Sequence, residues 1–167
     1  MLLFLALVLV GPYVLLTAAD RWIPGVRIRP VTRGKVGLSL FFLVTSSAHF
    51  TSTAAMAEML PPFVPFRTEI VLATGVLEIL GALGVWVPQV ARLTGLCLIL
   101  MLLGILPSNV YAALARIPFG GHEHGPVYLW VRVPFQFFVI AWVYGATGQR
   151  WLRRSTPGAA KAATDAT

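Results

Sequence analysis

The feature that most limits the fold is the length of the apolar segments, five of which follow one another with short connections. They cover approximately residues 1–19, 36–60, 67–87, 93–115 and 127–146. A helix needs roughly 20 apolar residues to cross the hydrocarbon core of a bilayer. Because 57% of the 167 residues are hydrophobic and only 11% are charged, a soluble globular fold is excluded. The sequence therefore predicts an all-α, multi-pass protein of the cell membrane.

The connections divide the chain into four parts. Residues 1–19 are predicted to be a retained first span, because no positive side chain precedes the apolar run as it does in a signal peptide. Residues 20–35 form a basic loop, residues 36–148 hold the second to fifth spans, and we expect the polar tail, residues 149–167, to be disordered. The single cysteine, Cys97, excludes an internal disulfide, and we expect a buried, inert thiol.

The basic residues predict the orientation in the membrane. Ten of the 13 Lys and Arg residues lie in the loop 20–35, the turn 88–92 or the tail. In a five-span chain these segments fall on the same side, and short basic segments stay in the cytoplasm. We therefore expect the N-terminus outside and the C-terminus inside. The net charge of +7 sits beside apolar segments and indicates orientation; no nucleic-acid partner is expected.

A carboxylic side chain, Glu78, stands in the middle of the third span. Such a group is expensive in lipid and marks a candidate functional site. Thr74 and Gly75 share its helical face, and the glycine permits close approach of another helix. In the second span, His49 lies on a polar stripe with Thr45. Counting about 1.5 Å of rise per residue from the outer span ends puts His49 and Glu78 at one depth, roughly 16 Å.

Three further polar side chains belong to the same outer half of the bundle. The same count of helical rise puts Asn109, Arg132 and Gln136 roughly 7 to 15 Å from the outer surface. We predict that they share one cavity with the deeper residues. Its candidate catalytic acid–base pair is Glu78 and His49, and its ligand-binding residues are Asn109, Arg132, Gln136 and Thr74. A quinone or quinol, or a sterol-like molecule, would place its polar head there and its apolar part in lipid.

A structural alternative explains the same residues without a ligand. Arg132 would extend outward and pair with Glu69 or Glu58, while Glu78 would stay protonated and bond to Asn109 or His49. The polar groups would then only hold the helices together.

A metal site is a weaker alternative. His122, Glu123 and His124 combine residue types that bind zinc or copper, but their spacing is poor and a glycine-flanked loop is usually solvated. Phosphate-binding loops, nucleophile motifs and paired cysteines are absent from the sequence. No intrinsic cofactor is therefore predicted, and whether the chain catalyses a reaction by itself stays open.

Five short motifs give the chain a resemblance to the DoxX-like membrane proteins. They are AHF at 48–50, MLPP at 59–62, TGVLE at 74–78, PSNVY at 107–111 and RVPFQ at 132–136. The resemblance implies an antiparallel four-helix transmembrane core made of the second to fifth spans, with the first span as an addition. Ser108 departs from the small Ala expected there, and the GGHEHG loop at 120–125 lies outside the pattern.

The resemblance also suggests a function. It implies a subunit of a quinone-linked membrane redox system, which would act with a redox partner protein or as a homo-oligomer. Two alternatives are a non-catalytic assembly or chaperone subunit for other membrane proteins, and an intramembrane isomerase that uses Glu78 and His49 on a sterol-like substrate.

Overall fold

The computed structural model describes residues 1–25 and 27–148, and this part of the chain is helical. Its elements are α1 (Leu2–Trp22), α2 (Pro30–Thr51), α3 (Thr53–Glu58), α4 (Arg67–Gly84), α5 (Ala91–Leu114), a 3-10 helix (His122–Tyr128) and α6 (Leu129–Ala146). The disorder expected for the tail 149–167 concerns residues outside this part.

Within residues 1–25 and 27–148, three helical segments are long and apolar enough to cross a membrane. They are α1, α5 and the stretch His122–Ala146, in which the 3-10 helix, kinked at Gly125 (φ 71°), leads directly into α6. The predicted all-helical fold is thus confirmed for the described residues, and the three segments are consistent with the predicted membrane protein. Helix α4 has 18 residues that include Arg67, Glu69 and Glu78, so its composition alone does not identify a span. The five-span topology stays a prediction.

Helix α2 holds the fold together. It packs against α1, α4 and α6, while α5 packs against α4, α6 and the 3-10 helix. Every long helix contributes buried apolar side chains to the core, among them Leu9, Leu38, Phe42, Ala82, Leu98, Val139 and Val143. Helix α1 is more than an appendage, because Leu5 and Leu9 lie in this core and a side chain at Gly37 would collide with the Leu9 carbonyl.

The first connection is shorter than the predicted loop 20–35. Helix α1 continues to Trp22, and α2 already begins at Pro30, whose fixed φ suits the first helical position. Arg33, which the sequence places in the loop, is buried and donates to Asp20 at 2.5 Å and to Thr17 at 3.0 Å. One of the basic residues counted as an orientation signal therefore forms an ion pair between α1 and α2.

The second predicted segment, 36–60, is interrupted. Helix α2 ends at Thr51, Ser52 has a φ of −128°, and the chain resumes as the short helix α3. The hydroxyl of Thr53 donates to the carbonyl of His49 at 2.6 Å. In an unbroken helix that carbonyl accepts from the backbone N–H of residue 53. Side-chain hydroxyls that compete for backbone carbonyls favour bends, which explains a break in this Ser- and Thr-rich stretch.

Helix α5 runs through Pro107 without an interruption. Its cysteine, Cys97, is exposed on the surface, so the expectation of a buried thiol is wrong. Periodicity explains the difference, because Gly95 and Leu98 form the inward face of α5 at this level, and the two residues between them, Leu96 and Cys97, point away from the core.

Candidate functional site

A cavity of about 510 Å³ lies between the helices at the end of the molecule that holds Met1, α3 and the 3-10 helix. Helices α1, α2, α4, α5 and α6 all contribute to its wall. The structure brings all six predicted site residues together on this wall: His49, Thr74, Glu78, Asn109, Arg132 and Gln136. The remainder of the wall is mainly apolar and includes Phe4, Leu5, Phe41, Val44, Ile105 and Val139.

One side of the cavity carries the carboxyl and imidazole groups of α4 and α2. The Nε2 atom of His49 lies 3.7 Å from Oε2 of Glu78, and both side chains are buried. The hydroxyl of Thr45 donates to the same Oε2 at 2.9 Å. The prediction that His49 and Glu78 lie at the same depth is therefore confirmed, because α2 and α4 bring the imidazole and the carboxyl group to one level.

The orientation of the His49 ring is set by the backbone of α4. Nδ1 lies 2.7 Å from the carbonyl of Val71 and 3.1 Å from the hydroxyl of Thr74. Since a carbonyl oxygen only accepts, Nδ1 carries the proton and Nε2 presents a lone pair in the neutral ring. Because the proton is held on Nδ1, Nε2 acts as a hydrogen-bond acceptor, and its partner is either Glu78 or a ligand.

Gly75 makes this approach of α2 and α4 possible. A Cβ built on Gly75 would lie 2.7 Å from the Cβ of His49 and 3.2 Å from the ring of Phe50. The absence of a side chain lets the two helices meet at the level of the His49 ring. This agrees with the close helix approach predicted around Glu78.

The other side of the cavity carries a chain of hydrogen bonds between α5 and α6. The Nε and Nη2 groups of Arg132 each donate to Oδ1 of Asn109 at 3.4 Å. The Nδ2 group of Asn109 donates to Oε1 of Gln136 at 3.4 Å and to the carbonyl of Ile105 at 3.1 Å. Nε2 of Gln136 donates in turn to the Leu102 carbonyl. The chain thus runs from the guanidinium to the backbone of α5 with every step in the same donor-to-acceptor direction.

The ion pairs of the structural alternative are not formed. Among the ion pairs of the described residues, none joins Arg132 to Glu58 or Glu69. Arg132 is half-buried beside Asn109 and lines the cavity. Glu78 bonds to Thr45 and not to Asn109. The polar groups therefore face the cavity in two separate clusters, one on α2 and α4 and one on α5 and α6.

The segment expected to be a solvated loop holds a buried histidine. His122 is only 1% exposed, and its Nδ1 lies 2.8 Å from the carbonyl of Phe119. Its ring packs edge-on against Tyr128, with the centroids 4.9 Å apart. Positive φ angles at Gly120 and Gly121, 70° and 102°, allow the chain to turn back in this way. His122 belongs to the cavity wall, and the expectation of a solvated segment is wrong at this residue.

The weaker metal alternative gains no support from this segment. The side chains of Glu123 and His124 are 49% and 73% exposed, whereas His122 turns into the protein. In the part of the chain that the structure describes, no group of three or more His, Cys, Asp or Glu side chains is arranged to hold a metal ion.

Sequence reasoning missed three contributors to the site. The sequence places Thr45 on the polar stripe of α2 without indicating a role for it, and it places His122 in a loop. Met1, Phe4 and Leu5 of α1 also line the cavity. The periodicity of α2 contains the signal for Thr45, since it lies one turn before His49. Nothing in the apolar sequence of α1 distinguishes the face that covers a cavity from the face that meets lipid.

Comparison with known proteins identifies a family without a known function. The chain belongs to the family described as Domain of unknown function (DUF8561), whose profile matches residues 38–147. That segment contains the six predicted site residues and excludes α1. No curated protein and no solved structure matches the chain. The resemblance to DoxX-like proteins stays a prediction.

Proposed function

We propose that this member of the DUF8561 family binds a lipophilic ligand with a small polar head, of the quinone or quinol class, in the cavity. The observation that supports this most is the cavity itself, about 510 Å³ of mainly apolar wall with two clusters of polar groups. Sites for small molecules typically have volumes of about 300 to 1,000 Å³ and a few well-placed polar groups on apolar walls.

The two polar clusters suggest how the head would be held. Arg132 has five N–H donors, and its bonds to Asn109 leave several of them for an oxygen of the ligand. On the other side, Nε2 of His49 and the carboxyl group of Glu78 form the candidate acid–base pair for a ligand hydroxyl. The apolar tail would pass along side chains such as Phe4 and Met56, which also line the cavity.

The wider setting belongs to the same proposal. Helices α2, α4, α5 and α6 would form the antiparallel four-helix transmembrane core, with the N-terminus outside and the C-terminus in the cytoplasm. The sequence carries no motif for an electron carrier. The protein would therefore act as a subunit of a redox system, in which a partner supplies the flavin, haem or metal.

Anaerobic binding of a quinol with a ten-carbon tail to the purified protein in lipid nanodiscs tests this proposal. We expect saturable binding that weakens about tenfold in Glu78→Gln, since loss of a buried hydrogen bond to a carboxyl group changes affinity by about 1.5 to 3 kcal/mol. The matched control is Glu69→Gln, which changes an exposed residue of the same helix outside the cavity wall.

Two outcomes would contradict the proposal. The first is binding of equal strength in the wild type and in Glu78→Gln. The second is no saturable binding to a wild-type protein that is folded by circular dichroism. The second outcome would favour the alternative of a non-catalytic assembly subunit.

A further inference from the structure

His122 is a buried ring with one nitrogen that has no partner. Its Nδ1 is satisfied by the carbonyl of Phe119 at 2.8 Å, and its Nε2 is buried without a hydrogen bond. Buried polar atoms usually have a partner, so each exception in a native structure needs an explanation. The ring lies on the wall of the cavity but Nε2 itself is closed off, so a ligand in the cavity reaches this nitrogen after a small movement of the surrounding side chains.

The hydrogen-bond pattern defines what kind of atom this nitrogen is. The Phe119 carbonyl can only accept, so the proton of the neutral ring stays on Nδ1 and Nε2 is an acceptor. His122 forms no ion pair in the described part of the chain, and a charged ring buried without a counter-ion is expensive. The neutral ring with a lone pair on Nε2 is therefore the form that fits this site.

His49 has the same arrangement on another wall of the cavity. Its Nδ1 is held by the carbonyl of Val71, and its Nε2 is also left as an acceptor. Two histidines on separate parts of the cavity wall thus each keep an unprotonated Nε2. A ligand whose head has only carbonyl oxygens can accept from Arg132, but it has no proton to donate to Nε2 of His122.

We infer that the cavity selects a head that carries a hydroxyl group, a quinol or other phenol, and that His122 is the residue that recognises this hydroxyl. This inference rests on the proposed function and adds to it the redox form of the ligand. The hydroxyl hydrogen is donated to Nε2 of His122, and an oxygen of the same head accepts from Arg132. The oxidised, carbonyl-only form leaves Nε2 of His122 without a partner.

A ligand series on the unmodified protein tests the inference first. A quinol, its quinone and its dimethyl ether, all with the same ten-carbon tail, are titrated anaerobically into the protein in nanodiscs. We expect the quinol to bind about tenfold more tightly than the quinone or the ether, since an unsatisfied buried acceptor changes the affinity by about 1 to 3 kcal/mol. The ether controls for the shape and the oxygen atoms of the quinol.

Substitution of His122 assigns the preference to this residue. In His122→Phe, which keeps a ring but removes the acceptor, we expect the ratio of quinol to quinone affinity to fall to about one while quinone binding persists. His124→Phe is the matched control, because it changes an exposed residue of the same 3-10 helix and is expected to keep the tenfold ratio. If His122→Phe does not fold, His122→Gln replaces it. Its amide can donate, so it should tighten the binding of the quinone relative to the quinol.

The outcomes separate this inference from the proposed function. Equal affinities for the three ligands in the wild type overturn the selection of a hydroxyl and leave the quinone-class site in place. An unchanged ratio in His122→Phe, or in His122→Gln where the first variant does not fold, overturns the role of His122. Failure of all three ligands to bind overturns both proposals.

Discussion

His49 and Glu78 face each other across the α2–α4 contact, with Nε2 and Oε2 3.7 Å apart. This distance is too long for a direct hydrogen bond, and a proton would cross it through a small movement or a bridging water. Nδ1 of His49 is held by Val71, whereas Oε2 of Glu78 is held by the hydroxyl of Thr45. The position of the carboxyl group therefore depends on a threonine that has no chemical role of its own.

Thr45→Val tests that dependence. Valine keeps the shape of the side chain but removes the donor to Glu78, so the carboxyl group loses its interhelical partner. We expect the free energy of unfolding to fall by about 0.6 to 1.7 kcal/mol, the range for hydrogen bonds between membrane helices. Reversible unfolding in mixed micelles measures the change. The control is Thr51→Val, since the hydroxyl of this exposed residue bonds only within α2. An equal loss in both variants would show that Thr45 does not support Glu78.

The hydrogen-bond chain of α5 and α6 gives a second prediction. Gln136→Leu removes the acceptor for one N–H of Asn109, whose other bond to the Ile105 carbonyl stays, and removes the donor to the Leu102 carbonyl; Asn109 and Leu102 are both buried. We expect the free energy of unfolding to fall by about 1 to 3 kcal/mol, since unsatisfied buried groups are costly. Reversible unfolding in mixed micelles measures this loss of stability. The control is Gln89→Leu, in the exposed turn before α5. A stable Gln136→Leu protein would show that water replaces the side chain.

The site residues were largely predictable because their chemistry is conspicuous in an apolar sequence. Glu78, His49 and Arg132 are costly in lipid, so each had to face protein or a cavity, and helical rise was enough to put the first two at one depth. The Asn109 and Gln136 contact follows from the same reasoning. Their functional roles are predictions that geometry alone does not test.

The rest of the site depends on features that a helical pattern does not encode. The break after Thr51 arises from a side-chain hydroxyl that bonds to the His49 carbonyl, which is a local competition between side chain and backbone. The burial of His122 depends on glycines with positive φ and on packing against Tyr128. Leu5 and Leu9 of α1 lie in the common core because Gly37 admits the α1 backbone, a contact between helices that periodicity within one helix cannot show.

Gly75→Ala tests the close approach of α2 and α4. Its Cβ would lie 2.7 Å from the Cβ of His49, so the helices must separate slightly and the His49 ring must move. We expect the free energy of unfolding to fall by about 1 to 3 kcal/mol, as for other overpacked contacts. The matched control is Gly145→Ala, because nothing lies within 4 Å of a Cβ there. This second variant should be more stable by about 0.5 to 1 kcal/mol, the helix-propensity difference between alanine and glycine. Equal effects at both positions would contradict the importance of the contact.

The proposed orientation is tested by labelling single cysteines at the two ends of α5. Gln89 precedes this helix and His124 follows it, and both are exposed. Helix α5 has 24 residues, a length of about 36 Å, so it is long enough to cross the bilayer. In cells that carry Cys97→Ala, we expect a membrane-impermeant maleimide to label His124→Cys directly and Gln89→Cys only after permeabilisation. The reason is that the basic segments, including the turn with Gln89, should stay in the cytoplasm.

The labelling experiment answers two separate questions: whether α5 crosses the bilayer, and in which orientation it does so. Removal of Cys97 comes first so that each labelled thiol is an introduced one. The Cys97→Ala protein without a new cysteine gives the background, and full labelling of both variants after permeabilisation shows that each thiol is accessible. Labelling of Gln89→Cys alone in intact cells would reverse the predicted orientation and place the cavity end in the cytoplasm, since the cavity lies at the same end as His122. Labelling of both in intact cells would show that α5 does not separate the two sides of the membrane, which would remove the basis for a quinone site within the bilayer.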